Sequence, residues 1–140
     1  MKRLLLATAL AAASLPVAAQ PCFACSCVPR ADGQTEREYR HQAARQADVV
    51  FTGRVWRIEG DYSGGGGSVE AHFFVEEAYK GTRRHRVTVS TAAQGTACGV
   101  FFRRGARYKV FGYGKGPRHF DTNLCTETQR GRIDLDRYGL

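Results

Sequence analysis

The spacing of apolar positions changes character several times along the chain, and each change marks an element. Residues 48–59, DVVFTGRVWRIE, concentrate Val, Phe, Trp and Ile and predict a strand. In 69–81 apolar positions alternate as Val69, Ala71, Phe73 and Val75, which predicts a second strand with one buried face. Residues 85–91 predict a third, with Val87 and Val89 inward, and 106–114 a fourth, with Tyr108 and Val110 on one face. A turn and a short fifth strand around His119 to Thr122 are expected within 115–125. Residues 93–102 read as a loop that becomes apolar around Cys98. Ahead of the strands, Gln34 to Ala47 shows helical spacing. Thr35 and Glu38 fit a capping box, and Tyr39, Ala43 and Ala47 recur every four residues as the expected core face. The last residues, 126–140, predict at most a frayed helix broken by Gly131.

Punctuation between the elements supports a mainly β fold. Residues 59–68 include four consecutive glycines, Gly64 to Gly67, and form a flexible turn between the first two strands. Gly53 and Gly112 fall inside strands, where a tightly coiled sheet bends. The expected architecture is a five-stranded OB-fold-like barrel with one short N-terminal helix and room for a C-terminal one. There is no internal repeat and no linker long enough to divide domains.

The amino-terminal end has the parts of a secretory signal peptide. Lys2 and Arg3 precede an apolar stretch from Leu4 to Leu15, and small residues follow at Ala18 and Ala19. The stretch falls short of the roughly 20 apolar residues of a membrane span. The alternative of a short membrane-anchored leader is therefore disfavoured, and no later segment is a candidate span. Cleavage after Ala19 or after Ala24 is compatible with the small residues. The chain has 5 Cys, and cleavage after Ala24 removes Cys22 and leaves the even set Cys25, Cys27, Cys98 and Cys125. An even set in an oxidising compartment reads as two disulfides. The expectation is a signal peptide at 1–24 and a single domain at 25–140, secreted or periplasmic. A lipoprotein reading is weak, since no Leu stands three residues before Cys22 or Cys25. The formal charge of +8 becomes +6 without Lys2 and Arg3. That balance favours anionic partners without naming one. Export argues against nucleic acid.

Candidate chemistry is sparse. Cys25 and Cys27 sit too close together for an unstrained mutual bridge. Each is expected to take a distant partner, which leaves two long-range pairings open. A redox or metal site built on Cys-x-Cys is the less favoured reading for an exported chain with two further cysteines. His41, His72, His85 and His119 form no pair at ligand spacing and are expected in surface or core roles. There is no nucleophile elbow, phosphate loop or zinc-binding His-Glu helix, so no enzyme activity and no cofactor is expected. Glu76 and Glu77 are neighbours on a strand and face opposite sides, so they do not form a paired acid site. Arg83, Arg84 and Arg86, with Arg103 and Arg104, form basic clusters that suit polyanions, although a solvated hairpin rim is the simpler reading.

Five fragments follow in an informative order: ACSCVP at 24–29, ADVVFTGRV at 47–55, AYKG at 78–81, TACGVFFRRG at 96–105 and TNLC at 122–125. Together they resemble the amino-terminal domain of tissue inhibitors of metalloproteinases, a member of the netrin-like OB-barrel modules. The resemblance spans about residues 25–125. It implies the disulfides Cys25–Cys98 and Cys27–Cys125. It also implies that Cys25 is the first residue of the mature protein, and that its α-amino nitrogen and carbonyl oxygen chelate the catalytic zinc of a target protease. By the same resemblance Ser26 enters the main specificity pocket, Cys27, Val28 and Pro29 continue along the cleft, and Thr96, Ala97 and Cys98 pack beside them.

Such a mechanism is chemically coherent. A catalytic zinc keeps one position open for water, which an amine and a neighbouring carbonyl can take. An α-amino group titrates at about 7.7–8.0, so part of it is neutral near pH 7, and zinc displaces the remaining proton. The chain departs from the family in lacking cysteines for a third disulfide and any carboxy-terminal domain, and Arg30 follows Pro29. The expected function is a secreted inhibitor of zinc metalloproteases. The alternative is a non-inhibitory netrin-like module that binds an anionic glycan, an envelope polymer or an acidic protein.

Overall fold

A computed structural model describes residues 25–63, 67–93, 98–114 and 116–140. The expected signal peptide and both candidate cleavage sites lie outside the described residues, as do Gly64 to Gly66 of the glycine run. The chain order is α1 (Glu36–Gln46), β1 (Val49–Glu59), β2 (Ser68–Lys80), β3 (Arg86–Ala92), β4 (Arg107–Gly112), β5 (His119–Asp121), β6 (Gln129–Arg130) and α2 (Leu135–Tyr138). Among the described residues no helix is long and apolar enough to cross a membrane.

The fold is mainly β, but the expected five-stranded closed barrel is corrected to an open sheet of six strands, ordered β5-β3-β2-β1-β4-β6. All pairings are antiparallel except β3 with β5. Among the described residues the strand pairing between the sheet's flanks is an isolated bridge between Tyr113 and Asp121, whose amides and carbonyls exchange bonds of 2.9 and 2.7 Å. Gly114, with φ of +141°, turns the chain away directly afterwards, so the bridge does not grow into a ladder. The sixth strand is two exposed polar residues, Gln129 and Arg130, paired with Lys109 and Tyr108. Such a strand carries no apolar alternation to announce it.

Apolar burial falls on both sides of the central strands. One cluster gathers Phe51, Val55, Phe73, Val89, Phe102, Tyr108 and Phe120. The Phe73 ring meets Phe51, Phe102 and Tyr108 edge-on at 5.5, 5.3 and 6.2 Å. Full burial of one such side chain contributes roughly 1.5–3 kcal/mol. The second cluster holds Ala44, Ala47, Val50, Phe111, Ile133 and Tyr138, where α1 and the C-terminal segment cover β1 and β4. Val50 and Phe111 therefore face this layer while Phe51 and Val110 face the other. That is why Val49 to Phe51 in β1, and Val110 with Phe111 in β4, are consecutive apolar residues. Gly53 and Gly112 sit where chains approach closely. A Cβ on Gly53 would lie 2.8 Å from the Phe74 carbonyl oxygen, and one on Gly112 would lie 2.8 Å from a Val49 methyl.

Helix α1 starts at the expected capping box. Thr35 Oγ1 accepts from the Glu38 N–H at 3.2 Å, and the Glu38 carboxylate accepts from the Thr35 N–H at 2.8 Å. At its other end Lys80 Nζ donates to the carbonyl oxygens of Ala44 and Arg45 at 3.2 and 2.7 Å, satisfying groups the helix leaves open. The buried face differs from the expected one. Ala44 and Ala47 are buried, whereas Tyr39 and Ala43 are half-buried. Docking onto β1 and β4 selects the i,i+3 pair and leaves Tyr39 at the helix edge. On β2, Val69, Ala71 and Phe73 are buried as expected, and Val75 is half-buried where the strand leaves the core.

The C-terminal helix also differs from expectation. Gly131 does not interrupt it; this glycine, with φ of +118°, follows β6, and α2 begins at Leu135. Its one turn is closed by Gly139 in a left-handed conformation. Tyr138 anchors it, stacking at 4.9 Å on Phe111 and donating its hydroxyl to Glu127 at 2.7 Å.

Candidate functional site

Residues 25–30 form no regular structure and are held by sulfur. Cys25 pairs with Cys98 and Cys27 with Cys125. The two bridges lie against one another, with the Sγ atoms of Cys25 and Cys125 3.7 Å apart. This settles which of the two long-range pairings is made. Cys25 is half-buried, while Ser26, Cys27, Val28, Pro29 and Arg30 are exposed, Val28 by 86%. An exposed apolar side chain next to two staples is a peptide run held outward.

The described residues that receive the bridges are themselves fixed. Cys98 adopts φ of +67°, a left-handed conformation that few residues with a Cβ take. Gly99 follows because its Cα lies against β3: a Cβ there would stand 1.9 Å from the Ala92 carbonyl oxygen. The Val100 N–H donates to Thr91 Oγ1 at 2.8 Å and continues the same contact. In the other loop, Thr122 N–H donates to the Ser90 carbonyl at 2.9 Å, and Asn123 Oδ1 accepts from the Cys125 N–H at 2.8 Å. The Asn123 side chain thus closes its own turn around the cysteine. Leu124 N–H donates to the Cys98 carbonyl oxygen at 2.8 Å, joining the two loops.

Beneath the second loop is a buried polar knot. Thr122 Oγ1 and Thr128 Oγ1 lie 2.8 Å apart, and each is within 3.1 Å of the Phe111 carbonyl oxygen. Thr128 Oγ1 also accepts from the Phe111 N–H at 2.8 Å. These contacts complete the backbone bonding of β4 where no strand covers it. Nearby, burial pushes the Tyr138 hydroxyl well above the usual phenol range, and its bond to Glu127 adds to this. Burial lowers Lys109, against the opposing pull of Glu127.

Beside the exposed run, Val28 and Pro29 line a shallow groove with Tyr39, Gln42, Tyr113 and Thr126. Gln42 Oε1 accepts from Gln34 Nε2 at 2.7 Å along its rim. All four described cysteines are oxidised, so none offers a thiolate to a metal, a redox partner or an electrophile. The arrangement presents backbone and small side chains on a rigid support.

Of the residues singled out from the sequence, Cys25, Ser26, Cys27, Val28, Pro29 and Cys98 are brought together; Thr96 and Ala97 lie outside the described residues. Leu124, 53% exposed between Asn123 and Cys125, joins the same surface and was not anticipated. A lone leucine in a turn gives no signal of its exposure. Glu76 and Glu77 do separate: Glu76 pairs with Arg54 and Arg107, and Glu77 accepts a bond from Tyr79. Arg83, Arg84, Arg86, Arg103 and Arg104 are exposed, and among the described residues none of them makes an ion pair. Arg86 lies over the Trp56 and Phe74 rings at 5.7 and 5.0 Å, and Arg103 over Phe101 at 5.6 Å.

No protein-family model matches the chain, and no curated protein matches it.

Proposed function

We propose that this protein is a secreted or periplasmic inhibitor of zinc metalloproteases, similar to the amino-terminal domain of tissue inhibitors of metalloproteinases. In this reading the signal peptide is removed after Ala24. Cys25 then carries the free α-amino group that, with its carbonyl oxygen, takes the open position on the zinc of the target. Ser26 occupies the specificity pocket, and Cys27, Val28 and Pro29 lie along the cleft. Thr96, Ala97 and Cys98 form the neighbouring contact. The carrier of this run is the mainly β sheet to which the two disulfides attach it.

The observation that carries the reading is the pair of adjacent bridges, Cys25–Cys98 and Cys27–Cys125, holding an exposed Ser26–Pro29 run. A peptide already fixed in one geometry loses little conformational freedom on entering a cleft. The deciding experiment compares protein beginning at Cys25 with protein carrying one additional alanine before it, against a panel of zinc metalloproteases. Inhibition by the first and none by the second is the expected result. Equal inhibition by both, or none by the first, overturns the proposal.

A second reading rests on the unpaired arginines. Arg83, Arg84 and Arg86, with Arg103 and Arg104, would bind an anionic glycan, envelope polymer or acidic protein without any inhibitory role. Exposed charges act over about 8–10 Å at moderate ionic strength, so such binding weakens steeply with salt. Binding to heparin that does not change between low and high salt counts against it.

A further inference from the structure

The solvent face of the sheet assembles a second group of donors that the sequence keeps apart. A register shift between Val55 and Arg57 reverses the alternation of β1, so Arg57 stands opposite His72 and Glu59 opposite Glu70. Across β2, Thr88 is the partner of His72 and Ser90 of Glu70. Strand pairing thereby brings the Glu59 carboxylate to Glu70 and His72, which lie 11 and 13 residues further along the chain. One donor atom from each of Glu59, Glu70 and His72 lies within 4.8 Å of the others.

The orientation of His72 is fixed by its surroundings. Its Nδ1 is 3.1 Å from Thr88 Oγ1, and its ring packs 5.7 Å from that of Trp56. Its Nε2 is buried, has no hydrogen-bond partner and faces Glu59 Oε1 at 3.2 Å. In the tautomer whose Nδ1–H donates to Thr88 Oγ1, the Nε2 lone pair on the Glu59 side is free to bind a metal ion. A tetrahedral centre with bonds of about 2.0–2.1 Å separates its donors by roughly 3.3 Å, and His72 Nε2 and Glu59 Oε1 lie 3.2 Å apart. A neutral imidazole held through its other nitrogen by a hydrogen bond is the usual state of a metal-bound histidine. Among the described residues Arg57 is the nearest competing cation, with its guanidinium 2.8 Å from Glu59.

We propose that Glu59, Glu70 and His72 bind a divalent transition-metal ion of the zinc class, with water in the fourth position. One imidazole nitrogen and two carboxylates suit zinc and its neighbours rather than calcium or magnesium, which prefer all-oxygen sites. Arg57 balances the carboxylates in the metal-free protein and turns outward when the ion enters. Thr88 is the positioning residue. The site shares no residue with the Cys25–Pro29 run and stands independently of the inhibitor reading.

The test is a calorimetric titration of the intact exported protein with zinc chloride at pH 7.5 in a non-coordinating buffer. Saturable binding of one zinc per chain is expected. Glu59→Gln and His72→Gln should each weaken it by more than about tenfold, and Thr88→Val by roughly 10–100-fold through loss of ring orientation. His85→Gln, on the same chain but away from the cluster, should bind as the parent does. All variants share the amino terminus, so zinc held there is common to every titration. Unchanged circular dichroism shows that each variant is folded; the exposed Glu59 keeps the test valid if His72→Gln is not. Absence of saturable binding, or parental affinity in folded Glu59→Gln or His72→Gln, overturns the proposal.

Discussion

The backbone N–H of Leu124 donates to the carbonyl oxygen of Cys98 at 2.8 Å. Each residue belongs to a loop that receives one disulfide from the Cys25–Cys27 run, so this bond makes two anchors into one. The run is therefore positioned by a small rigid assembly of two bridges, two loops and a shared hydrogen bond.

Cross-linking residues 98 apart restricts the unfolded chain strongly. Replacing both Cys27 and Cys125 by alanine should lower stability by about 2–5 kcal/mol. Denaturant unfolding, with midpoints compared at constant slope, measures the loss. A change below about 0.5 kcal/mol would mean that the loops hold the run without sulfur.

Gly99→Ala places a methyl group 1.9 Å from the Ala92 carbonyl oxygen, backbone against backbone. The segment after Cys98 must then lift from β3. We expect a loss of about 1–3 kcal/mol, in the range of overpacking, and, under the proposed inhibitor function, weaker protease inhibition. Thermal unfolding and an inhibition assay on one sample check both. Parental values in each would show that the close approach is not required.

Thr128 serves both the N–H and the carbonyl of Phe111. Thr128→Val preserves shape and leaves those groups without that hydroxyl in a buried place. A cost of about 1–3 kcal/mol follows from an unmade buried hydrogen bond. Amide exchange at Phe111 should accelerate more than at Val55, a site-specific readout that a general loss of stability would not produce.

Glu76 has its carboxyl held below the ordinary value of 4.5, chiefly by the hydrogen bond from Arg107 and further by the charges of Arg107 and Arg54. A depressed native pKa gives stabilisation that is complete above 4.5 and disappears as pH falls through the native value. Wild type should therefore be more stable than Glu76→Gln at pH 7, and the gap should close on acidification below about pH 4.5. Melting temperatures of both proteins from pH 7 to pH 3 trace this. A gap independent of pH would assign the effect of the substitution to packing instead.

Val28 is 86% exposed. Val28→Asp should change stability by less than about 0.5 kcal/mol and, under the proposed inhibitor function, weaken protease inhibition by at least tenfold, about 1.4 kcal/mol. Retained inhibition would remove Val28 from the contact surface.

Local chemistry made several elements legible from the sequence. The Thr35–Glu38 capping box started α1 where expected, because both partners lie within one turn. Strands β1 to β4 followed from apolar alternation or continuous apolar runs, and the short β5 from its place after a turn. Cysteine parity pointed to two bridges, and the family resemblance, not the spacing, implied their connectivity.

Tertiary structure decided the rest. It set the helix face at Ala44 and Ala47, because docking against Val50 and Phe111 selects the buried side of α1. It added β6, whose two polar residues pair by backbone alone. It left the sheet open, since Gly114 turns the chain after a single bridge to Asp121. It brought Glu59 to Glu70 and His72 through a register shift that no side-chain pattern records. A sequence encodes what residues one turn or one pleat apart do to one another. Contacts across strands depend on register, which only the folded sheet fixes.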